Sequence, residues 1–311
     1  MALKQGTQGN NILHGTAAAD QMYGYGGNDN LLAYEGDDQL WGGAGNDSLS
    51  GGTGDDYFHG GSGFDSIWFY EPGNIIVNLD PAWPNVNKAI QVGAGTDTLI
   101  SVEGFYFNAG DDTFIGNSQA NFVVATGGED GLYGNGGDDQ LFGGAHDDTI
   151  AGGDGLDTLH GDDGEDTIYG GNGDDFLYGG DEADDLHGGD GADTIAGGSG
   201  ADKIHGDRGL DTLTGNGGAD DFVFDDGDSG VGAGDRGVIT DFVAGTDDLD
   251  LSSFGNLDFI GQDTFDAPDQ VRFFHSGGDT VVRINTVGNS GAEMEIELAG
   301  IINLAAGDFI L

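Results

Sequence analysis

The chain of 311 residues has no cysteine, only seven basic residues and four prolines. Without cysteine it can form no disulfide scaffold, cysteine-ligated zinc site, iron–sulfur cluster or thiol nucleophile. Its 57 acidic residues give a formal net charge of −50. This charge excludes nucleic acid and anionic membranes as non-specific partners, because phosphate groups repel it. No segment approaches the roughly 18 consecutive apolar residues of a membrane-spanning helix, so we expect no transmembrane helix.

Glycine, in contrast, is abundant: the chain has 65 glycines, about three times the average share. Most belong to a nine-residue repeat, seen in residues 42–50 (GGAGNDSLS), 51–59 (GGTGDDYFH) and 60–68 (GGSGFDSIW). The template is Gly-Gly-x-Gly-x-Asp-x-U-x, in which U is apolar. Seven copies fill residues 6–68 and thirteen fill residues 107–223. Position six is Asp in eighteen of these twenty copies, and position eight is apolar in all of them.

The template predicts a stacked β-solenoid. Positions seven to nine alternate outward, inward and outward, as in a short strand that buries one side chain. Glycine at positions one, two and four permits positive φ in the intervening turn. A three-residue strand is not stable alone, so successive copies must stack. Two copies form one coil, and same-side aspartates are therefore 18 residues apart, as Asp29 and Asp47 are.

This stacking brings like charges together. Paired strands lie about 4.8 Å apart, and two carboxylates at that distance repel by about 1 kcal/mol in water and about 3–4 kcal/mol at an effective dielectric constant of 20. A divalent ion between neighbouring turns would turn this repulsion into attraction. Carboxylate and carbonyl oxygens in a flexible site suit calcium better than magnesium or zinc. We therefore expect a chain that folds only when calcium is bound.

The arrays resemble the nonapeptides of the repeats-in-toxin family, which occur in secreted hemolysins, serralysin-type proteases and alginate epimerases. The resemblance implies an all-β fold, a parallel β-roll with a C-terminal β cap. It also implies several Ca²⁺ ions, each held between same-side turns by position-six carboxylates and loop carbonyls. The implied ligands are Asp20, Asp29, Asp38, Asp47, Asp56, Asp65, Asp112, Asp130, Asp139, Asp148, Asp157, Asp166, Asp175, Asp184, Asp193, Asp202, Asp211 and Asp220.

Some copies depart from the template, and we expect weaker or missing ions beside them. The departing residues are Asn11, Ala18, Gln119 and Asn121 near the array starts, and His146 and Glu182 at position four.

Four regions follow from the pattern. Residues 1–68 are the first array, 69–106 a longer-coil insertion continuous with the solenoid, 107–223 the second array and 224–311 the cap. In the insertion, strand-like alternation is predicted for two groups of residues: Ile75, Val77 and Leu79, then Thr98, Ile100 and Val102. A single further copy, VGAGTDTLI, occupies residues 92–100.

In the cap, Met294, Ile296 and Leu298 alternate with three glutamates, which predicts a half-buried strand. Residues 235–252 (DRGVITDFVAGTDDLDLS) and 305–311 (AAGDFIL) resemble the C-terminal region of serralysin-type proteases. That resemblance implies a cap ending in an uncleaved signal for a type I secretion machine. The glutamates of the alternation are Glu293, Glu295 and Glu297.

No catalytic constellation stands out in the sequence. It contains no His-Glu-x-x-His motif, and the GDSG segment at residues 227–230 has no evident partner histidine. Five histidines occupy position nine, where an outward surface position is the simplest interpretation: His14, His59, His160, His187 and His205.

The predicted function is a secreted, extracellular calcium-binding repeat protein that acts in binding or scaffolding and is not an enzyme. Its predicted partners are calcium ions and the type I secretion machinery, with polysaccharide as a candidate extracellular partner. One alternative is the calcium-binding and secretion module of a larger protease or polysaccharide-modifying enzyme. A lesser alternative is an adhesive or ice-binding solenoid, which the single threonine at position three of the arrays, Thr53, disfavours.

Overall fold

The computed structural model describes residues 1–82, 87–91, 95–225, 237–286 and 294–311. The regular secondary structure of these residues is almost entirely β-strand, and their contacts divide the chain into two units, Met1–Ile150 and Ala151–Leu311. In each unit, short strands alternate between two sheets and stack mainly in parallel. The predicted all-β parallel solenoid is therefore confirmed. Among the described residues, no helix has the length and apolarity needed to cross a bilayer.

The first unit consists of short strands linked by tight turns. They are β1 (Leu3–Gln5), β2 (Ile12–Thr16), β3 (Gln21–Gly26), β4 (Asn30–Tyr34), β5 (Gln39–Ala44), β6 (Ser48–Ser50), β7 (Tyr57–Ser62), β8 (Ser66–Trp68), β9 (Ile75–Asn78), β10 (Lys88–Gln91), β11 (Gly95–Ile100), β12 (Gly104–Tyr106), β13 (Thr113–Ile115), β14 (Phe122–Val124), β15 (Gly131–Gly136) and β16 (Gln140–Ala145).

The strand register shows why the repeat length is nine. Strand β3 pairs in parallel with β5, so that Met22 lies beside Leu40, and β4 pairs with β6, so that Leu31 lies beside Leu49. Each pair is two copies, or 18 residues, apart. These position-eight side chains are fully buried, which confirms that one apolar residue per copy faces inward.

The insertion contributes strands to the same sheet as its neighbours. Strand β11 pairs in parallel with β7, β9 pairs in parallel with β13, and β10 lies antiparallel between β9 and β11. The strand predicted in the second half of the insertion is present as β11, which ends at Ile100. Its inward residues are Asp97 and Leu99, the latter beside Phe58, whereas Thr98 and Ile100 are partly exposed and Val102 is buried beyond the end of the strand.

The second unit continues the alternation of short strands and then changes character. The first of its strands, β17 (Thr149–Asp154), begins at the last two residues of the first unit. The others are β18 (Thr158–Asp163), β19 (Thr167–Asn172), β20 (Phe176–Asp181), β21 (Asp185–Gly191), β22 (Thr194–Gly200), β23 (Lys203–His205), β24 (Arg208–Gly209), β25 (Thr212–Gly218), β26 (Asp221–Val223), β27 (Val238–Ile239), β28 (Asp248–Asp250), β29 (Asp258–Phe259), β30 (Gln270–Ser276), β31 (Asp279–Asn285), β32 (Met294–Leu298) and β33 (Phe309–Ile310). Single 3-10 turns lie at Ser252–Phe254 and Ala306–Asp308.

The C-terminal region forms longer antiparallel pairs. Strand β31 lies between β30 and β32, β32 joins β27 in parallel, and β33 joins β28. The prediction of an outward Glu295 is wrong: its side chain is 1% exposed and pairs with Arg283 on the neighbouring strand. The guanidinium of Arg283 also lies 4.6 Å from the ring centre of Phe274. Glu293 and the GDSG segment lie outside the described residues.

Candidate metal site

The structure places the position-six aspartates inside the solenoid. Each follows the glycine turn directly and precedes the outward residue that begins the next strand segment, and all eighteen predicted ligands are buried. Asp47 and Asp193, for example, are 2% and 1% exposed. Aspartate is common in solvated turns, but these side chains do not occupy such positions.

One carboxylate oxygen of each aspartate is used to connect coils. The backbone N–H of Asp29 donates to Oδ1 of Asp47 at 2.8 Å, and that of Asp175 donates to Oδ1 of Asp193 at 2.8 Å. The same 18-residue step recurs in both units and on both sides of the solenoid. The aspartates therefore form ladders that run along the stack of coils.

In many of these aspartates the other oxygen, Oδ2, has no hydrogen-bond partner among the described residues. In Asp47 and Asp193 it is buried and accepts a hydrogen bond from no described atom. An unpaired buried carboxylate oxygen is costly, by several kcal/mol for a full charge. The same arrangement occurs at Asp29, Asp38, Asp56, Asp65, Asp112, Asp130, Asp175, Asp184 and Asp202.

Oδ2 points to the space beside the position-one glycine of the same copy. A methyl group added to Gly42 would lie less than 3.0 Å from both Oδ2 of Asp47 and the carbonyl oxygen of Gly60, which belongs to the next coil. Gly188, Asp193 and Gly206 repeat this arrangement in the second unit. A carboxylate oxygen and a carbonyl oxygen of adjacent coils thus converge on one small space.

This geometry corrects one part of the sequence interpretation. Positions two and four do have positive φ, as at Gly43 (φ 117°) and Gly45 (φ 123°). Gly42, at position one, does not, and Oδ2 of Asp47 lies where a side chain at this residue would be. Ala33 and Ala125 take the same position in two other copies, so glycine is favoured there but is not invariant. His146 (φ 85°) and Glu182 (φ 80°) adopt the positive φ normally taken by glycine at position four. The weaker ion binding expected at these copies stays a prediction.

Burial makes the ladder carboxylates hard to ionise in the absence of a cation. Desolvation, opposed by the backbone hydrogen bond and reinforced by neighbouring carboxylates, raises the pKa of Asp56 and that of Asp184 to about 8. The same causes raise the pKa of Asp193 to about 7 and that of Asp202 to about 6. Each ladder therefore favours the binding of positive charge, whether as protons or as metal ions.

The ladders also contain acidic residues that the sequence analysis missed. Asp56 donates its N–H to Oδ1 of Asp97 at 2.9 Å, and Asp65 donates to Oε2 of Glu103 at 3.0 Å, so the insertion continues both ladders of the first array. Asp220 donates to Oδ1 of Asp247 at 3.4 Å. Signals for two of them were present: Asp97 is position six of VGAGTDTLI, and Asp247 precedes an outward–inward–outward triplet.

The residues present fit calcium. The ladders offer carboxylate and carbonyl oxygens, which are the ligands of hard cations, and the converging pairs recur in several coils of both units rather than at one specialised position. The Oδ2 oxygens of Asp47 and Asp193 are buried without a hydrogen-bond partner among the described residues, so a cation would relieve a cost that the fold otherwise retains. The glycines at position one of these copies, Gly42 and Gly188, leave room for close approach.

Removing one ladder charge should have opposite effects with and without calcium. In millimolar calcium, Asp193→Asn should lower the free energy of unfolding by about 1–3 kcal/mol, because one charged ligand is lost. In chelator the same variant should show at least as much β-structure as wild type, because a repulsive charge is gone. Urea unfolding and far-UV circular dichroism measure the two effects.

The matched control is Asp190→Asn, three residues earlier in the same turn, where the side chain is exposed beside Arg208. It should change the unfolding free energy by no more than about 0.5 kcal/mol. Equal destabilisation by both substitutions, or by Asp193→Asn in calcium and in chelator alike, would contradict the ladder interpretation.

A methyl group at position one should block the converging oxygens. Gly188→Ala should raise the calcium concentration at the midpoint of folding several-fold, because the new Cβ would lie less than 3.0 Å from Oδ2 of Asp193. Gly217→Ala is the control, since the nearest atom to its Cβ is 3.8 Å away. A calcium titration followed by circular dichroism compares them, and equal midpoints for both variants would show that position one needs no free space.

Acid should partly replace calcium. The folded-state pKa values of several ladder aspartates, such as Asp56, Asp184 and Asp193, are raised above the unfolded value. Their contribution to stability is fully present below the unfolded pKa of about 4 and is lost as pH rises through the folded pKa, up to about 8 for Asp184. In chelator, the chain should therefore gain β-structure between pH 8 and pH 5. Circular dichroism with light scattering separates folding from precipitation near the pI of about 4.1. No gain of β-structure would contradict this linkage.

Comparisons with known proteins agree with this chemistry. The profile of the RTX calcium-binding nonapeptide repeat, four copies long, matches residues 5–40, 32–67, 108–141, 124–159, 142–177, 160–195, 178–213 and 196–230. No curated protein matches the chain.

Two solved structures are similar to this chain at low identity. One is the solution structure of the AlgE6R3 subunit from the Azotobacter vinelandii mannuronan C5-epimerase, with 22% identity and a TM-score of 0.26; the match covers 56% of this chain and 77% of that one. The other is the crystal structure of the extracellular lipase LipA from Serratia marcescens, with 14% identity and a TM-score of 0.19. That match covers 99% of this chain, which spans only 40% of the lipase.

The repeat profile covers more than half of the chain, and the regular copies it matches place a buried carboxylate and a facing carbonyl oxygen in the solenoid. The chain belongs to the RTX family of calcium-binding nonapeptide-repeat proteins and binds Ca²⁺ through several of its repeats.

Proposed function

We propose that the chain is exported unfolded by a type I secretion machine and folds outside the cell when calcium fills the aspartate ladders. The observation that supports this proposal is the row of buried, unpaired Oδ2 oxygens, of which those of Asp47 and Asp193 are examples. At low calcium concentration, as in the cytosol, the carboxylates within each ladder repel one another and the chain stays unfolded. Extracellular calcium-binding modules have dissociation constants of about 10⁻⁴–10⁻³ M, so calcium outside the cell suffices to fold it.

In this mechanism the free energy of calcium binding becomes free energy of folding. Each regular copy buries one medium apolar side chain, which contributes about 1.5–3 kcal/mol. Ordering a residue costs about 1–2 kcal/mol in backbone entropy, and a copy has nine residues, many of them glycine. The apolar column alone is too weak to hold the coils, and the cation supplies the remaining stabilisation.

The C-terminal region is the part of the chain we assign to export. Residues 235–252 and 305–311 are similar to the serralysin-type region that a type I machine reads. In the folded chain, β33 pairs with β28, and β32 pairs with β27, so the same region also covers the last coil of the second unit. A covered end is needed because an open parallel solenoid exposes unpaired backbone groups.

We assign the folded protein a binding or scaffolding role outside the cell, without catalysis. A repeat β-roll suits such a role, because it presents long regular faces on which the same position recurs every coil. Stacked outward rings, such as those of Tyr23 and Trp41 at 4.5 Å, order these faces. Extracellular polysaccharide is the candidate partner to test first.

Export and folding can be tested together. The full chain and a variant without residues 305–311 are expressed in a bacterium that carries a type I exporter. The full chain should reach the medium and the truncated chain should remain in the cells, whereas Asp258→Ala, an exposed cap substitution, should be exported normally. The purified full chain should gain β-structure cooperatively in a calcium titration. Equal export of both chains would contradict the secretion proposal, and complete β-structure in chelator would contradict calcium-driven folding.

A further inference from the structure

A cluster of two histidines and two aspartates lies on the outer face of the second unit, away from the inward aspartate ladders. Asp185 and His187 are two residues apart on β21 and so point to the same side. His205 lies directly beside His187, on β23, because the two strands pair in parallel with these residues in register. One 18-residue step of the solenoid therefore brings two imidazoles and a carboxylate together.

The three side chains converge on one point. Nε2 of His187 lies 3.2 Å from Oδ1 of Asp185, and Nε2 of His205 lies 3.6 Å from the same oxygen. One potential ligand atom from each residue lies within 4.8 Å of the others. In a tetrahedral zinc site, with bonds of about 2.0–2.1 Å, neighbouring ligand atoms are separated by roughly 3.3 Å. The two nitrogen–oxygen distances bracket this value.

The oxygen at the centre of this cluster is itself unsatisfied. Oδ1 of Asp185 is buried, and no described atom meets it in hydrogen-bonding geometry, although both imidazole nitrogens are close. An ion shared by the three atoms would supply the missing partner. The side chains of His187 and His205 are 24% and 15% exposed, so an ion has access from solvent.

Further contacts hold the rings in place. Nδ1 of His187, the nitrogen opposite to the one that faces Asp185, lies 3.8 Å from Oδ2 of Asp207. A carboxylate on the second imidazole nitrogen is the usual outer partner of a metal-bound histidine and fixes its orientation. The rings of Tyr169, His187 and His205 also stack, with centroid distances of 4.9 Å and 4.1 Å.

We propose that Asp185, His187 and His205 form a zinc site, with Asp207 as the outer carboxylate and a fourth ligand position left to solvent. Imidazole nitrogen favours zinc over calcium, which takes oxygen ligands. The site is thus chemically distinct from the calcium ladders. Lys203 lies beside Asp185 in the strand register. Its positive charge repels a bound cation, but the two carboxylates of Asp185 and Asp207 outweigh this repulsion.

The test uses the untagged full chain in millimolar calcium, so that the ladders stay loaded. Zinc is titrated in competition with a chromophoric chelator, and the histidine ¹⁵N resonances are followed in parallel. Wild type should bind one zinc ion per chain at this site with shifts at His187 and His205. His187→Gln and His205→Gln should each weaken binding by at least about tenfold, and Asp207→Asn by about tenfold.

His14→Gln is the matched control, because His14 also occupies position nine, and its ring stacks on Tyr34 and hydrogen-bonds to the hydroxyl of that residue. It should leave zinc affinity unchanged. Circular dichroism in calcium checks that each variant is folded. Absence of zinc binding by the calcium-loaded wild type, zinc-induced shifts at other histidines only, or equal affinity of wild type and a folded His187→Gln variant would overturn the proposal.

Discussion

Oxygen crowding inside the solenoid is the constraint on which the rest of the structure depends. In several coils a carboxylate oxygen, such as Oδ2 of Asp47, lies close to a carbonyl oxygen of the next coil and has no hydrogen-bond donor among the described residues. Two such acceptors repel, and an ionised carboxylate there costs several kcal/mol. The single inward apolar residue per copy, at about 1.5–3 kcal/mol, does not offset this cost. A divalent cation does, because it attracts both oxygens.

This constraint also explains the composition. Glycine is favoured at position one because the aspartate of the same copy lies close to the side-chain space, and at positions two and four because the turn has positive φ at most of these residues. In the two arrays, each regular coil contributes one aspartate to each of two ladders, which accounts for eighteen of the chain's 57 acidic residues. Because the folded chain binds calcium, its folded state is linked to the calcium concentration.

Much of the fold followed from the sequence because the repeat is nearly regular. The period of nine, the inward position eight and the 18-residue register each depend on one recurring residue type, and the structure confirms them at Leu31 and Leu49. The burial of the aspartate side chains could not be predicted from their polarity, because acidic residues in glycine turns are usually solvated. Glu103 was missed because the insertion changes the spacing while three-dimensional stacking restores the ladder, whereas Asp97 stands at position six of the isolated copy at residues 92–100 and could have been found there.

Two other features could be recognised only in the three-dimensional structure. Glu295 alternates with apolar residues as an exposed residue would, but its partner Arg283 lies on a different strand, and the burial follows from that pairing. His187 and His205 looked like independent surface residues in the sequence. Only the strand register shows that they are neighbours and that Asp185 and Asp207 face them.

The most direct measurement is an anomalous-difference map from crystals of the full chain grown in calcium. We expect calcium peaks about 2.3–2.6 Å from Oδ2 of the regular ladder aspartates, Asp193 among them, with a facing glycine carbonyl in the same coordination shell. Intact coils with no density beside these oxygens would contradict it.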